Sequence, residues 1–282
     1  MKSSTLIVWL LVAACIAIDL AMIGELQLRH NEWPEAGGVV GLGLTFAQLA
    51  LIALWTVWGR SSVLVRAVCS LLSVLAVSCL ASYSSDGGLD SVGDWFGVLL
   101  LYVGLILIPF IIARFMNYDL NHEGSQAAHN ARGRLPSNQF TIWGLLSLMT
   151  AAGITLATVR YADFPIRQRL EVAAFLTLLT APACTVLLLS LSRTRMMIAV
   201  MTTMVICPIV GFLLSITGVA PGEGALLLIL MTCIQGAALL SAVLVLRAAG
   251  YRLARPAELS GATALRSSDA PGSGSVGQAD EP

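Results

Sequence analysis

Hydrophobic positions along this chain neither alternate with polar ones nor recur at the three-to-four spacing of a half-buried helix. They come in long unbroken runs. Eight stand out: Thr5 to Ile23, Val39 to Val57, Val63 to Ser82, Phe96 to Phe115, Phe140 to Val159, Val172 to Leu191, Met196 to Ile216 and Ala225 to Leu246. A helix crossing the hydrocarbon core of a bilayer needs about 20 apolar residues, which is close to the length of each run. Backbone groups in lipid must find their hydrogen bonds within the protein, so the runs predict helices. A barrel would show shorter, alternating segments. The expected fold is all-α, a polytopic membrane helix bundle of eight transmembrane helices.

The polar segments between the runs give the orientation. Lys2, Arg60, Arg66, Arg114, Arg132, Arg134, Arg193, Arg195, Arg247, Arg252, Arg255 and Arg266 fall on one side, and Arg29, Arg160, Arg167 and Arg169 on the other. Twelve basic residues against four place both termini in the cytoplasm. The segments Asp86 to Asp94 and Ala220 to Gly224 carry no basic residue, as expected of the opposite side. Most connections are short, apart from Met116 to Gln139, which reads as a cytoplasmic loop. The tail from Pro256 to Pro282 is rich in Ser, Gly, Ala and Pro and is expected to be disordered. The start of the chain has a rival reading. Val12-Ala13-Ala14-Cys15 resembles a lipobox, and cleavage before Cys15 would leave a lipid-anchored protein of seven helices. Against it, Ile16 to Ile23 stays mostly apolar and the first run reaches full spanning length.

The chain also carries signs of internal duplication. Arg29-His30-Asn31-Glu32-Trp33-Pro34 follows the first run, and Arg160-Tyr161-Ala162-Asp163-Phe164-Pro165 follows the fifth. The two align without a gap, with Arg and Pro identical and Glu32/Asp163 and Trp33/Phe164 conservative. Arg60 matches Arg193 and Arg114 matches Arg247 at nearly the same offset. The expected organisation is thus two parallel four-helix repeats, 1–115 and 140–255, joined by the 116–139 loop and followed by the 256–282 tail. Four is an even number, so both halves enter the membrane in the same direction. The repeated motif reads first as an interfacial cap: a cation at a helix end, an aromatic at headgroup depth and a helix-stopping proline. A ligand or partner site is the other reading.

Composition then removes several chemistries. Hydrophobic residues make up 57% of the 282 and charged ones 11%, where a soluble domain has about 25% charged. Sixteen basic residues balance sixteen acidic ones, so no excess points to nucleic acid. Lys2 is the one lysine, which leaves no intramembrane amine for a Schiff base. His30, His122 and His129 all lie in polar segments, so paired intramembrane haem ligands are excluded. All six cysteines lie inside apolar runs without a C-x-x-C and read as small core residues. His122, Glu123 and His129 read as a solvated loop rather than a metal site. No G-x-S-x-G, H-E-x-x-H or Walker pattern occurs, and neither an enzyme nor a cofactor is expected.

The segment Gln139-Phe140-Thr141-Ile142-Trp143-Gly144-Leu145-Leu146-Ser147-Leu148-Met149-Thr150-Ala151 carries a family resemblance. It resembles the Q-F-[ST]-[IL]-x-x-L-L-x-x-x-T-A opening of a membrane helix in planctomycete-type bacterial multi-pass membrane proteins. The likeness covers about one helix, and Trp143-Gly144 depart from the charged pair often found there. It implies a bacterial inner-membrane setting and carries no chemistry.

Polar residues inside the runs are the candidate site, because membrane interiors make them costly. Asp19 is the one carboxylate within a predicted span, four residues from its outer end, where it either reaches the interface or forms a buried ion or proton site. Tyr102, Thr155 and Thr217 are its expected neighbours by depth. Gln48 and Gln235 fall near the midplane of the second and eighth runs, where amides join helices or line a polar path. Arg66 is expected to snorkel to the interface. Pro109, Pro182 and Pro208 should kink their helices. Two functions remain open: a small-solute transporter or channel with its site between the halves, and a scaffold or assembly protein that binds other membrane proteins. The expected partners are the lipid bilayer and either a small solute or another membrane protein.

Overall fold

The structure, a computed structural model, describes residues 10, 13–17, 36–59, 61–84, 91–116, 118–122, 166–191, 196–216 and 224–254. Six helices dominate them: α1 Ala36–Trp58, α2 Val63–Ser84, α3 Val92–Phe115, α4 Ile166–Leu191, α5 Met196–Ile216 and α6 Gly224–Ala248. All six are long and apolar enough to cross a membrane, and the chain is an integral membrane protein. Each begins and ends within a few residues of an apolar run. The first and fifth runs fall largely outside the described residues, although 13–17 within the first is helical.

Helices α1, α3, α4 and α6 form the middle of the bundle. α6 packs against α1, α4 and α5, while α3 packs against α1, α2 and α4. α2 and α5 stand at the flanks, where Leu64, Val68, Leu72, Met201, Met204 and Phe212 are exposed. Lipid tails are as apolar as leucine, so close packing and hydrogen bonds must hold the helices together. The α5–α6 contact shows how. A Cβ added at Gly211 would sit 2.5 Å from the Ile229 Cα and 2.6 Å from the Thr232 Oγ1. Thr232 Oγ1 meanwhile donates to the Cys207 carbonyl at 2.8 Å.

A two-stranded antiparallel ribbon adds to the helices. Strand β1, Asp119–His122, follows α3, and β2, Tyr251–Ala254, follows α6. Asp119 pairs with Ala254, Leu120 with Leu253, Asn121 with Arg252 and His122 with Tyr251. α6 stops at Gly250, whose φ of 84° suits glycine and whose N–H returns to the Arg247 carbonyl at 2.9 Å. The apolar pattern does not foresee this ribbon: 119–122 was expected to be plain loop, and the second repeat was expected to close on a helix. Because the strands pair, α3 and α6 end at one face of the bundle. Trp58 Nε1 donates to the Tyr118 carbonyl at 2.9 Å, so α1 ends there too. At the opposite face the Ser82 and Ser91 hydroxyls lie 2.5 Å apart, tying α2 to the start of α3.

Candidate functional site

Two polar clusters interrupt the apolar bundle. The first lies midway along α3 and α6. Gln235 and Tyr102 are both 0% exposed. The Gln235 Nε2 donates to the Tyr102 hydroxyl at 2.7 Å, and that hydroxyl donates to the Phe46 carbonyl of α1 at 3.1 Å. Nε2 also approaches the Leu179 carbonyl of α4 at 3.5 Å. The chain of contacts therefore runs through all four central helices. The Phe46 and Tyr102 rings pack at 4.6 Å between centroids, tilted by 57°. Leu49, Leu99, Ile106, Leu179 and Leu239 of the same four helices are likewise fully buried. The Gln235 Oε1 has no partner among the described residues. An amide oxygen sealed in an apolar seam without a donor costs free energy, and it marks the point where this seam is least satisfied.

The second cluster lies at the ribbon face, where α1 ends. Arg66, only 5% exposed, turns its Nη1 onto the Thr56 and Val57 carbonyls at 2.7 and 3.0 Å. The Arg114 Nη1 donates to the same Val57 carbonyl. These are the last carbonyls of α1, which the helix itself leaves without donors, and a cation is favoured there. Arg66 therefore does not snorkel. Gly59 makes the turn possible, since an added Cβ would come within 2.8 Å of the Arg66 Cδ. The Thr56 and Ser70 hydroxyls lie 2.5 Å apart beside it. In α6, Arg247 donates to the Ser190 carbonyl at 3.0 Å and reaches the Met196 Sδ at 3.5 Å.

These contacts recur at one spacing. Tyr102 and Gln235 stand 133 residues apart. So do their carbonyl partners Phe46 and Leu179, the arginines Arg114 and Arg247, and the carbonyls of Val57 and Ser190 that those arginines cap. The ends of α1 and α4, the starts of α2 and α5, and the ends of α3 and α6 share that offset, as do the paired Leu120 and Leu253.

The sequence-derived candidates fall as follows. Gln235 lies in the central seam, and its hydrogen bonds go to Tyr102 and Leu179 rather than to Gln48. Gln48 is half-buried on α1, two residues from Phe46. Asp19, Arg29, Glu32, Trp33, Pro34, Arg160, Asp163, Phe164 and Pro165 lie outside the described residues. Pro109, Pro182 and Pro208 lie within α3, α4 and α5. The cysteines are not uniformly core residues: Cys207 is buried, but Cys69 and Cys79 are exposed on α2. Compared with protein families, curated proteins and solved structures, the chain matches none of them.

Proposed function

We propose that this chain is an eight-span protein of the bacterial inner membrane, built as two parallel four-helix repeats with both termini in the cytoplasm. We further propose that it acts as a scaffold holding other membrane proteins, not as an enzyme. The repeat reading is supported by the hydrogen bonds that recur at an offset of 133. It is also supported by Leu120 pairing with its own counterpart Leu253, as residues on a two-fold axis do. Eight spans are supported by parity. α3 and α6 end at one face, yet α4, α5 and α6 make three crossings. A fourth is needed between β1 and α4, and Phe140 to Val159 is the apolar run that lies there.

The observation that carries the scaffold reading is the filled seam. A solute path between the halves would run past Tyr102 and Gln235, and both are 0% exposed among fully buried leucines. The flanks of α2 and α5 are instead open, and the methionines of α5 suit an adaptable contact surface. Transport is the second reading, favoured by one observation: the partnerless Gln235 Oε1, which a polar solute could satisfy in a state where the halves part. Cysteine at position 235, in a protein whose own cysteines are replaced, separates the two. The scaffold reading expects no reaction with a membrane-impermeant thiosulfonate in intact membranes. It also expects photo-crosslinkers at Leu72 or Met204 to give a discrete protein adduct. Labelling of Cys at 235 from the aqueous phase, with no adduct at the flanks, would select transport.

A further inference from the structure

We propose that Arg66 and Arg114 hold the phosphate of an anionic phospholipid in the leaflet at the ribbon face. The inference stands apart from the scaffold reading and rests on a local imbalance of charge. Both guanidinium groups donate to the single Val57 carbonyl, which puts those two nitrogens at most about 6 Å apart. Neither has a carboxylate partner among the described side chains, which do not include that of Asp119. Like charges so close, at the edge of a low-dielectric slab, are costly unless an anion joins them.

The second cation stands outside the matched pair of caps. Arg114 and Arg247 are the matched pair that cap α1 and α4. The residue matched to Arg66 is Ala199, which is buried at 1% exposure. Among the described residues of α5, no arginine takes the place of Arg66 at the end of α4. Arg66 is nevertheless buried, with its Nε sealed away from any partner. Its Nη1 is committed to Thr56 and Val57, and Arg114 beside it is exposed. The Arg66 Nη2 and the exposed Arg114 guanidinium remain as donors from which phosphate oxygens can accept.

The surroundings favour a lipid over a soluble anion. Arg66 lies one turn inside the start of α2 and Arg114 one residue from the end of α3, which is headgroup depth. Val63, Leu64 and Val68 on α2, and Ile112 and Met116 beside Arg114, are exposed and supply an apolar wall for acyl chains. A headgroup that carries its own amine would bring a third cation to the site. A headgroup with net negative charge would not.

The test uses the full-length protein in neutral detergent, with thermal unfolding and native mass spectrometry as readouts. Phosphatidylglycerol, phosphatidylcholine and inorganic phosphate are added separately. Phosphatidylglycerol should raise the melting temperature and persist as a one-lipid adduct, while the other two do neither. Arg66→Ala should reduce retention of phosphatidylglycerol about tenfold. Its lipid-free melting temperature should fall, because the Thr56 carbonyl loses its donor, so retention is compared at a temperature where parent and variant are both folded. Equal retention by parent and variant would overturn the proposal. So would equal stabilisation by inorganic phosphate, which would mark a soluble-anion site, or by phosphatidylcholine, which would mark non-specific annulus binding. Should Arg66→Ala fail to insert, the comparison of the three additives on the parent protein still decides.

Discussion

Tyr102 and Gln235 form one unit, and their substitutions should not cost the same. Tyr102→Phe removes the hydroxyl that accepts from Gln235 and donates to Phe46. It leaves the Gln235 amide with an unpaired oxygen and only the 3.5 Å approach to Leu179. Gln235→Leu removes the whole amide, including its orphan oxygen, and leaves Tyr102 bonded to Phe46. Interhelical hydrogen bonds in membranes are worth about 0.6 to 2 kcal/mol, and stranding a buried polar group costs about 1–3 kcal/mol. Tyr102→Phe should therefore destabilise by about 1–2 kcal/mol and Gln235→Leu by clearly less. The double variant should be no worse than Tyr102→Phe alone. Reversible unfolding in mixed micelles measures all three, and additive losses would show that the pair is not coupled. Gln235 was visible in the sequence as an amide in an apolar run. Tyr102 was placed by depth near Asp19, because a phenol within an apolar run does not announce a partner. The offset linking Arg114 to Arg247 points to it, since the same step carries Tyr102 onto Gln235.

At the level of helices, the bilayer did most of the specifying. Its thickness demands runs of one length, so Met196–Ile216 coincides with its apolar run and the other five helices differ from theirs by a few residues. The ribbon was hidden for the converse reason. Four residues such as Asp119–His122 pair through main-chain groups, and their side chains look like loop. How closely helices approach was only partly legible. Gly37 and Gly43 both stand near the start of α1 and look alike in sequence, but a Cβ at Gly37 meets nothing within 4 Å, while one at Gly43 would meet the Met231 carbonyl at 2.8 Å. The tightest contact with main-chain carbon is at Gly211 instead. Gly211→Ala should cost about 1–3 kcal/mol, because the Ile229 backbone cannot turn aside as a side chain could. Gly37→Ala should be neutral or stabilising by up to about 1 kcal/mol, from helix propensity alone. Melting temperatures of the two variants give the comparison, and equal values would mean that α5 and α6 do not meet at Gly211.

For the whole molecule, the ribbon and the arginine pattern lead independently to one topology. The ribbon brings the ends of α3 and α6 to one face, together with the end of α1. Arg66, Arg114 and Arg247, which are among the arginines that the sequence assigns to the cytoplasm, all lie toward that face. Residue His122 thus lies at the ribbon face, while α4 must begin at the other to reach Leu191 beside β2. The chain between them has to cross an odd number of times. α1 starts at the face away from the ribbon, and the proposed topology takes Thr5 to Ile23 as one further crossing before it. Reporter fusions after Gly88 and Gly222 should be active only outside the cytoplasm, and a fusion at Pro282 only inside. The decisive pair is a fusion after Arg134 and another after Asp163. The first should report cytoplasm and the second the opposite side, because a single crossing through Phe140 to Val159 separates them. If both report the same compartment, that run does not span. The two halves would then enter the membrane in opposite directions, β1 and β2 could not meet, and the parallel-repeat reading would fall with the ribbon.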